Sequence, residues 1–173
     1  MKIASTLPAL GIAVALCLTA CKKKDIFEDN RSQGTMSMKL DGQVLTVSKQ
    51  LTGSLYDTAN DVMSHLIVSG MTEDNQLLTV NVAFPNKQLK TGTYELNTFR
   101  YNTIGWMQRL SDAIGYSAVD LEYGASATIK IESISETKAK GTFSGVLIHD
   151  VDETKKKVVS EGRFEVSLIK YTK

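Results

Sequence analysis

Residues 65–85 read HLIVSGMTEDNQLLTVNVAFP. Leu66, Val68 and Gly70 fall on alternate positions, Thr72 to Asn75 are polar, and Leu78, Val80, Val82 and Phe84 alternate again. A period of two puts every second side chain on one face, which is the signature of a half-buried strand and not of a helix. Two such runs joined by a short polar reversal predict an antiparallel hairpin. Pro85-Asn86 ends the second strand, because proline has no N–H to give to the ladder.

The same pattern extends in both directions. Upstream, Met36, Met38 and Leu40 alternate, Asp41-Gly42 follows, and Val44, Leu45 and Val47 resume. Asp-Gly between apolar runs signals a two-residue hairpin turn whose central residues both need positive φ. Downstream, Gly92 to Leu96 reads as a short strand. Ala127, Ile129 and Ile131 alternate, a polar turn lies near Ser135 to Lys138, and Gly141, Phe143, Gly145 and Leu147 share a face. After a charged loop at 150–156, Val159 opens a last strand carrying Phe164, Val166 and Leu168, and Glu161-Gly162 inside it predicts a bulge. Lys130, Glu132, Arg163 and Glu165 occupy the outward positions, as expected of sheets wet on one side.

These strands predict an all-β domain: an antiparallel β-sandwich of about 8–10 strands, with a closed lipocalin-like barrel around an apolar cavity as the alternative. In the irregular stretch 98–123, Trp106, Leu110, Ala113 and Ile114 also fit one face of a short helix near 104–114, and 117–123 reads as a further strand.

The N-terminus carries an address. Lys2 precedes an apolar run from Leu7 to Ala20, and Leu18-Thr19-Ala20 leads directly into Cys21. A cationic start, an apolar middle and small residues before a cut site make a secretory signal, and a cysteine after the small residues makes it a lipoprotein signal. The run is shorter than the roughly 20 apolar residues of a membrane-spanning helix. Residues 1–20 are therefore expected to leave, taking Cys17 with them. Cys21 is expected to carry a diacylglyceryl group, residues 21–34 to form the tether, and residues 35–173 to form a single β domain. Two or three acyl chains hold a protein at a bilayer where one holds only marginally. Lys22 in place of an aspartate after the cysteine points to an outer membrane, with the periplasmic and surface faces both open.

Removal of residues 1–20 leaves 153 residues with 19 cations and 19 anions. A balanced charge offers no case for nucleic acid, which requires a basic excess on one face. With Cys21 as the remaining cysteine, neither a disulfide nor a thiolate site is expected.

Several pieces resemble a known family. Leu-Asp-Gly-Gln at 40–43, Gly-Thr-Tyr at 92–94, Ala-Thr-Ile-Lys-Ile at 127–131, Lys-Gly-Thr-Phe-Ser-Gly at 140–145 and Glu-Gly-Arg-Phe-Glu-Val at 161–166, with the cysteine followed by lysines, are similar to the small β-rich lipoproteins of the Bacteroidota. The resemblance implies a β domain at the cell envelope. It implies no catalytic residue, since that family has no assigned activity.

The residues themselves nominate little chemistry. His65 and His149 do not sit at a metal-ligand spacing, and no carboxylate cluster is attached to either. Asp150, Asp152 and Glu153 supply oxygens for a hard cation, but Lys155 to Lys157 stand beside them, so a solvated hairpin tip is the expectation. Neither a Gly-x-Ser-x-Gly elbow nor a phosphate loop occurs. No metal, cofactor or catalytic set is expected. The binding candidates are aromatic: Phe99, Tyr101, Trp106, Tyr116 and Tyr123 cluster in sequence with Arg100 and Arg109. Ring faces beside donors suit a carbohydrate or peptide, and the same rings equally suit the end of a core. Tyr101, Trp106, Arg109 and Tyr116 are the expected binding set. The resulting expectation is a non-enzymatic binding or accessory lipoprotein, with partners limited to the membrane through its anchor and a carbohydrate, peptide or protein. The alternative is a carrier of a small apolar ligand.

Overall fold

The structure is a computed structural model that describes residues 33–57, 61–97, 101–108 and 115–172. Ten strands follow in order: β1 (Gly34–Leu40), β2 (Gln43–Asp57), β3 (Met63–Thr72), β4 (Leu77–Pro85), β5 (Gly92–Glu95), β6 (Thr103–Met107), β7 (Gly115–Ser117), β8 (Ser126–Ile134), β9 (Lys138–His149) and β10 (Lys156–Thr172). The all-β, mainly antiparallel architecture expected from the alternation is the one observed.

Pairing closes on itself. The chain of neighbours β1-β2-β3-β4-β6-β7-β9-β10 returns to β1, giving a ring of eight strands. β1 starts part-way along the ring, and beyond its start β10 and β2 pair directly in parallel, Leu168 with Gly53 through Thr172 with Asp57. β8 pairs with β9 and carries β5 on its outer edge. The two ends of the ring are distinct. β1, β3, β6 and β9 run toward an end formed by Asp41-Gly42, the turn 72–76, Trp106 and Tyr116, here termed the mouth. β2, β4 and β10 run toward the opposite rim at Asp57, Pro85 and Thr172.

The interior of the ring is filled. Met36, Met38, Leu55, Leu66, Val68, Leu78, Val80, Val82, Phe84, Ile104, Ile129, Leu147 and Phe164 are all nearly inaccessible and belong, apart from Leu55, to one continuous apolar cluster. Each such side chain contributes about 1.5–3 kcal/mol on burial, which explains why the alternation is so regular.

Local chemistry follows the sequence in most places. Asp41 and Gly42 have φ of 48° and 82°, and the flanking Leu40 and Gln43 pair, as a two-residue turn with two left-handed centres requires. The bulge at Glu161-Gly162 is present, with the β9–β10 register shifting between Val159 and Gly162 and Glu161 at φ 51°.

Two expectations need correction. In its described part, the segment expected to form a helix near 104–114 is strand β6: Ile104 and Trp106 face inward while Thr103, Gly105 and Met107 face outward against β4 and β7. Ile104 and Trp106 are two residues apart and share one face only with a period of two, and of the residues expected on the helical face Trp106 alone lies in the described part. Arg109, Leu110, Ala113 and Ile114 lie outside the described residues. The strand expected over 117–123 stops at Ser117, and Asp120 turns the chain, accepting from the Glu122 and Ala125 N–H groups ahead of Gly124 at φ 82°.

Candidate functional site

The aromatic candidates divide between the two ends. At the mouth, Trp106 on β6 and Tyr116 on β7 are cross-strand partners with ring centroids 5.5 Å apart. Trp106 is buried and its Nε1–H donates to Gln76 Oε1 at 3.0 Å, which satisfies the one polar atom that burial would penalise. Tyr116 meets the edge of His149 at 4.8 Å, and the Lys157 ammonium lies 6.0 Å from its ring centroid, within cation–π range.

Lys157 also holds Asp41, with Nζ to Oδ2 at 2.7 Å, while Asp41 Oδ1 accepts from the Val158 N–H at 2.8 Å. The Lys157 hydrogen bond, followed by the Val158 N–H, lowers the Asp41 pKa below its ordinary 3.8. The same contact raises that of Lys157. Leu40, Asp41, Gln43, Leu45, Gln76, Trp106, Gln108, Tyr116 and Lys157 together line an open recess of about 360 Å³. Its lining is chemically mixed: aromatic carbon, three carboxamides that both donate and accept, and an ion pair that is neutral as a unit.

Tyr101 lies elsewhere. It precedes β6 toward the opposite rim, is exposed, and meets His65 edge-on at 5.8 Å. The outward row there runs Tyr171, Tyr56, His65, Ala83 across β10, β2, β3 and β4 in register. Tyr56 and Tyr171 stack at 4.9 Å. Ala83 is small enough to leave room for His65 to reach Tyr101. The structure thus brings Trp106 and Tyr116 together and places Tyr101 apart from them. Arg109, Phe99, Arg100 and Cys21 lie outside the described residues. Tyr123 stands exposed near the mouth, its backbone carbonyl accepting from Lys156 Nζ.

Sequence reasoning missed Asp41, Gln76 and Lys157. Asp41 reads only as a turn residue and Lys157 only as part of a charged loop, and nothing in the one-dimensional pattern brings residues 41, 76, 106, 116 and 157 together.

The remaining polar groups hold loops. His149 Nδ1 accepts from the Val151 and Asp152 N–H groups, which leaves its proton on Nε2. Asp150 accepts from the Gly115 N–H and the Ser117 hydroxyl, both at 3.0 Å. Asp152 accepts from Thr154 and pairs with Lys155 at 3.0 Å, contacts that pull its pKa down to about 2. Asp150 and Asp152 are therefore engaged as turn supports. Among the described residues no three His, Cys, Asp or Glu side chains gather as a metal ion would require. No described helix is long and apolar enough to cross a membrane.

Compared with known proteins, the chain matches no family model, no curated protein and no solved structure.

Proposed function

We propose that this chain is a lipid-anchored, non-enzymatic binding module of the outer membrane, with its recognition surface at the mouth of the ring. The observation that carries this reading is the filled interior: with Phe84, Phe164 and Leu147 nearly inaccessible in one continuous apolar cluster, a ligand is met at an end and not inside. This favours a surface binder over the apolar carrier. The mouth offers ring carbon, carboxamides and a compensated ion pair, a combination suited to a neutral, hydroxyl-rich ligand such as a carbohydrate, or to a peptide. Leu-Thr-Ala-Cys at 18–21 supports the anchor, and the strand motifs similar to Bacteroidota lipoproteins support the same location.

Trp106 is the single tryptophan of the chain, so its emission reports on the mouth. Titration with neutral oligosaccharides and with short uncharged peptides is expected to change Trp106 emission saturably for one class, and Tyr116→Ala is expected to weaken that response. The apolar dye anilinonaphthalene sulfonate is expected to show no saturable site. A stoichiometric dye site with an unresponsive Trp106 would favour the carrier.

A further inference from the structure

Of the three carboxamides that line the recess, Gln43, Gln76 and Gln108, Gln76 has its direction fixed. An indole N–H donates and never accepts, so the Trp106 bond at 3.0 Å holds Gln76 Oε1 toward the indole. Its Nε2 is turned the other way, and among the described residues no group accepts from it. A carboxamide whose oxygen is taken in this way meets a ligand with its N–H donors.

The frame around that donor is rigid. The Gln76 N–H donates to Thr72 Oγ1 at 3.2 Å, the Gln76 carbonyl accepts from the Thr72 N–H at 2.9 Å, and Thr72 is buried. Trp106 is buried as well and is paired with Leu78 on β4 and Tyr116 on β7. Folding has already ordered the donor, so binding does not have to. Gln43 and Gln108 differ: both are exposed and make no side-chain hydrogen bond among the described residues, so each turns freely to donate or to accept. Asp41 and Lys157 hold each other, so the recess calls for no net charge.

These groups define what fits. The fixed donor seeks an acceptor, and an amide carbonyl accepts more strongly than a hydroxyl or ether oxygen. The two free carboxamides seek hydroxyls, which both donate and accept. A single peptide unit offers one N–H and one C=O and leaves Gln43 and Gln108 to water. A sugar unit with an acetamido substituent offers the carbonyl and the hydroxyls together. The volume, about 360 Å³, lies at the small end of ligand sites, about 300–1,000 Å³.

We propose that Gln76 is the specificity-determining residue of the mouth, and that it selects a neutral sugar bearing an N-acetyl group by donating from Nε2 to the acetamido carbonyl. The proposal rests on the mouth being the recognition surface.

The test uses the full chain in a detergent without a sugar headgroup, titrated calorimetrically with tri-N-acetylchitotriose and with cellotriose. The two share their linkage and differ at C2, where one carries acetamido and the other hydroxyl. The expected result is saturable binding of the acetylated trimer, about tenfold tighter than cellotriose, the worth of one hydrogen bond. Gln76→Glu keeps an acceptor for Trp106 and turns a second acceptor to the recess, so the preference is expected to disappear. Trp106→Phe frees the amide to turn, and the two affinities are expected to converge. The preference ratio is the readout, because a merely structural role would move both sugars alike, and two variants are used so that a folding defect in one leaves the other to decide. A preference kept in the folded variants overturns the role of Gln76. Equal binding of the two trimers, or saturable binding of N-acetyltrialanine amide in their place, overturns the acetamido sugar and leaves the mouth standing as a recognition surface. Absence of saturable binding by all three overturns the mouth, and the selection falls with it.

Discussion

Phe143 on β9 lies over Gly162 on β10: a Cβ built on that glycine would sit 2.5 Å from the ring. The relation is reciprocal, because Phe164 is the cross-strand partner of Gly141 and a Cβ there would meet its ring at 2.9 Å. The two rings, 6.4 Å apart, thus fill the space that the two glycines leave open. Lys-Gly-Thr-Phe and Glu-Gly-Arg-Phe are one packing device written twice. Gly162→Ala and Gly141→Ala are each expected to destabilise the domain by about 1–3 kcal/mol through overpacking, read as a lower denaturant midpoint with an unchanged slope. A variant as stable as the parent would show that the strands move apart without cost.

Asn102 joins two strands that do not pair. Its Oδ1 accepts from the Ala83 N–H on β4 at 3.0 Å and its Nδ2 donates to the Glu95 carbonyl on β5 at 2.9 Å, and the residue is buried. Asn102→Ala leaves a buried donor and acceptor without partners and is expected to cost about 2–4 kcal/mol. Asn102→Asp is expected to cost more, since it sets a carboxylate oxygen against the Glu95 carbonyl. Hydrogen exchange of the Ala83 amide, faster in both variants, locates the effect.

At the mouth, Lys157→Met removes the partner of both Asp41 and the Tyr116 ring. Because the pair is partly exposed, the loss of stability is expected to stay below about 1 kcal/mol. The Asp41 carboxyl is expected to titrate closer to its ordinary value, observed in its carbon chemical shift. An unmoved titration would mean that the Val158 N–H alone sets it.

Acid stability follows from four lowered aspartates. Asp41, Asp57 and Asp61 sit below 3.8 and Asp152 at about 2 in the folded chain, so all four bind protons more readily when unfolded. Their stabilising contribution is complete above the ordinary carboxylate value and is lost as pH falls from there through the folded values. Denaturation midpoints are expected to decline below about pH 4, and the decline is expected to be shallower in Asp152→Asn. An equal slope in that variant would exclude Asp152 as a contributor.

Much of the fold was legible because alternation carries the physics of burial directly. Met36, Met38 and Leu40, Leu78 to Phe84, and Ala127 to Ile131 each point inward as their spacing demands. The Asp41-Gly42 turn and the Glu161-Gly162 bulge were legible because few residue pairs tolerate those backbone angles. The second half of β2 was not. Leu51, Gly53 and Leu55 do alternate, but Gln50 at φ 50° and two register shifts against β3 interrupt the pattern. Strand order was equally hidden, since a parallel β2–β10 contact joins residues more than a hundred positions apart. For the candidate site, the sequence grouped Tyr101 with Trp106. Closeness along the chain put them together, and the direction of β6 carries them toward opposite ends.

The most direct test of the account is the mass of the N-terminal peptide from protein purified out of the membranes of a diderm bacterium expressing the full chain. The expected peptide begins at Cys21 and carries a diacylglyceryl thioether, which is lost together with membrane attachment in Cys21→Ser. A peptide that begins elsewhere, or a Cys21 recovered as a free thiol, would contradict it.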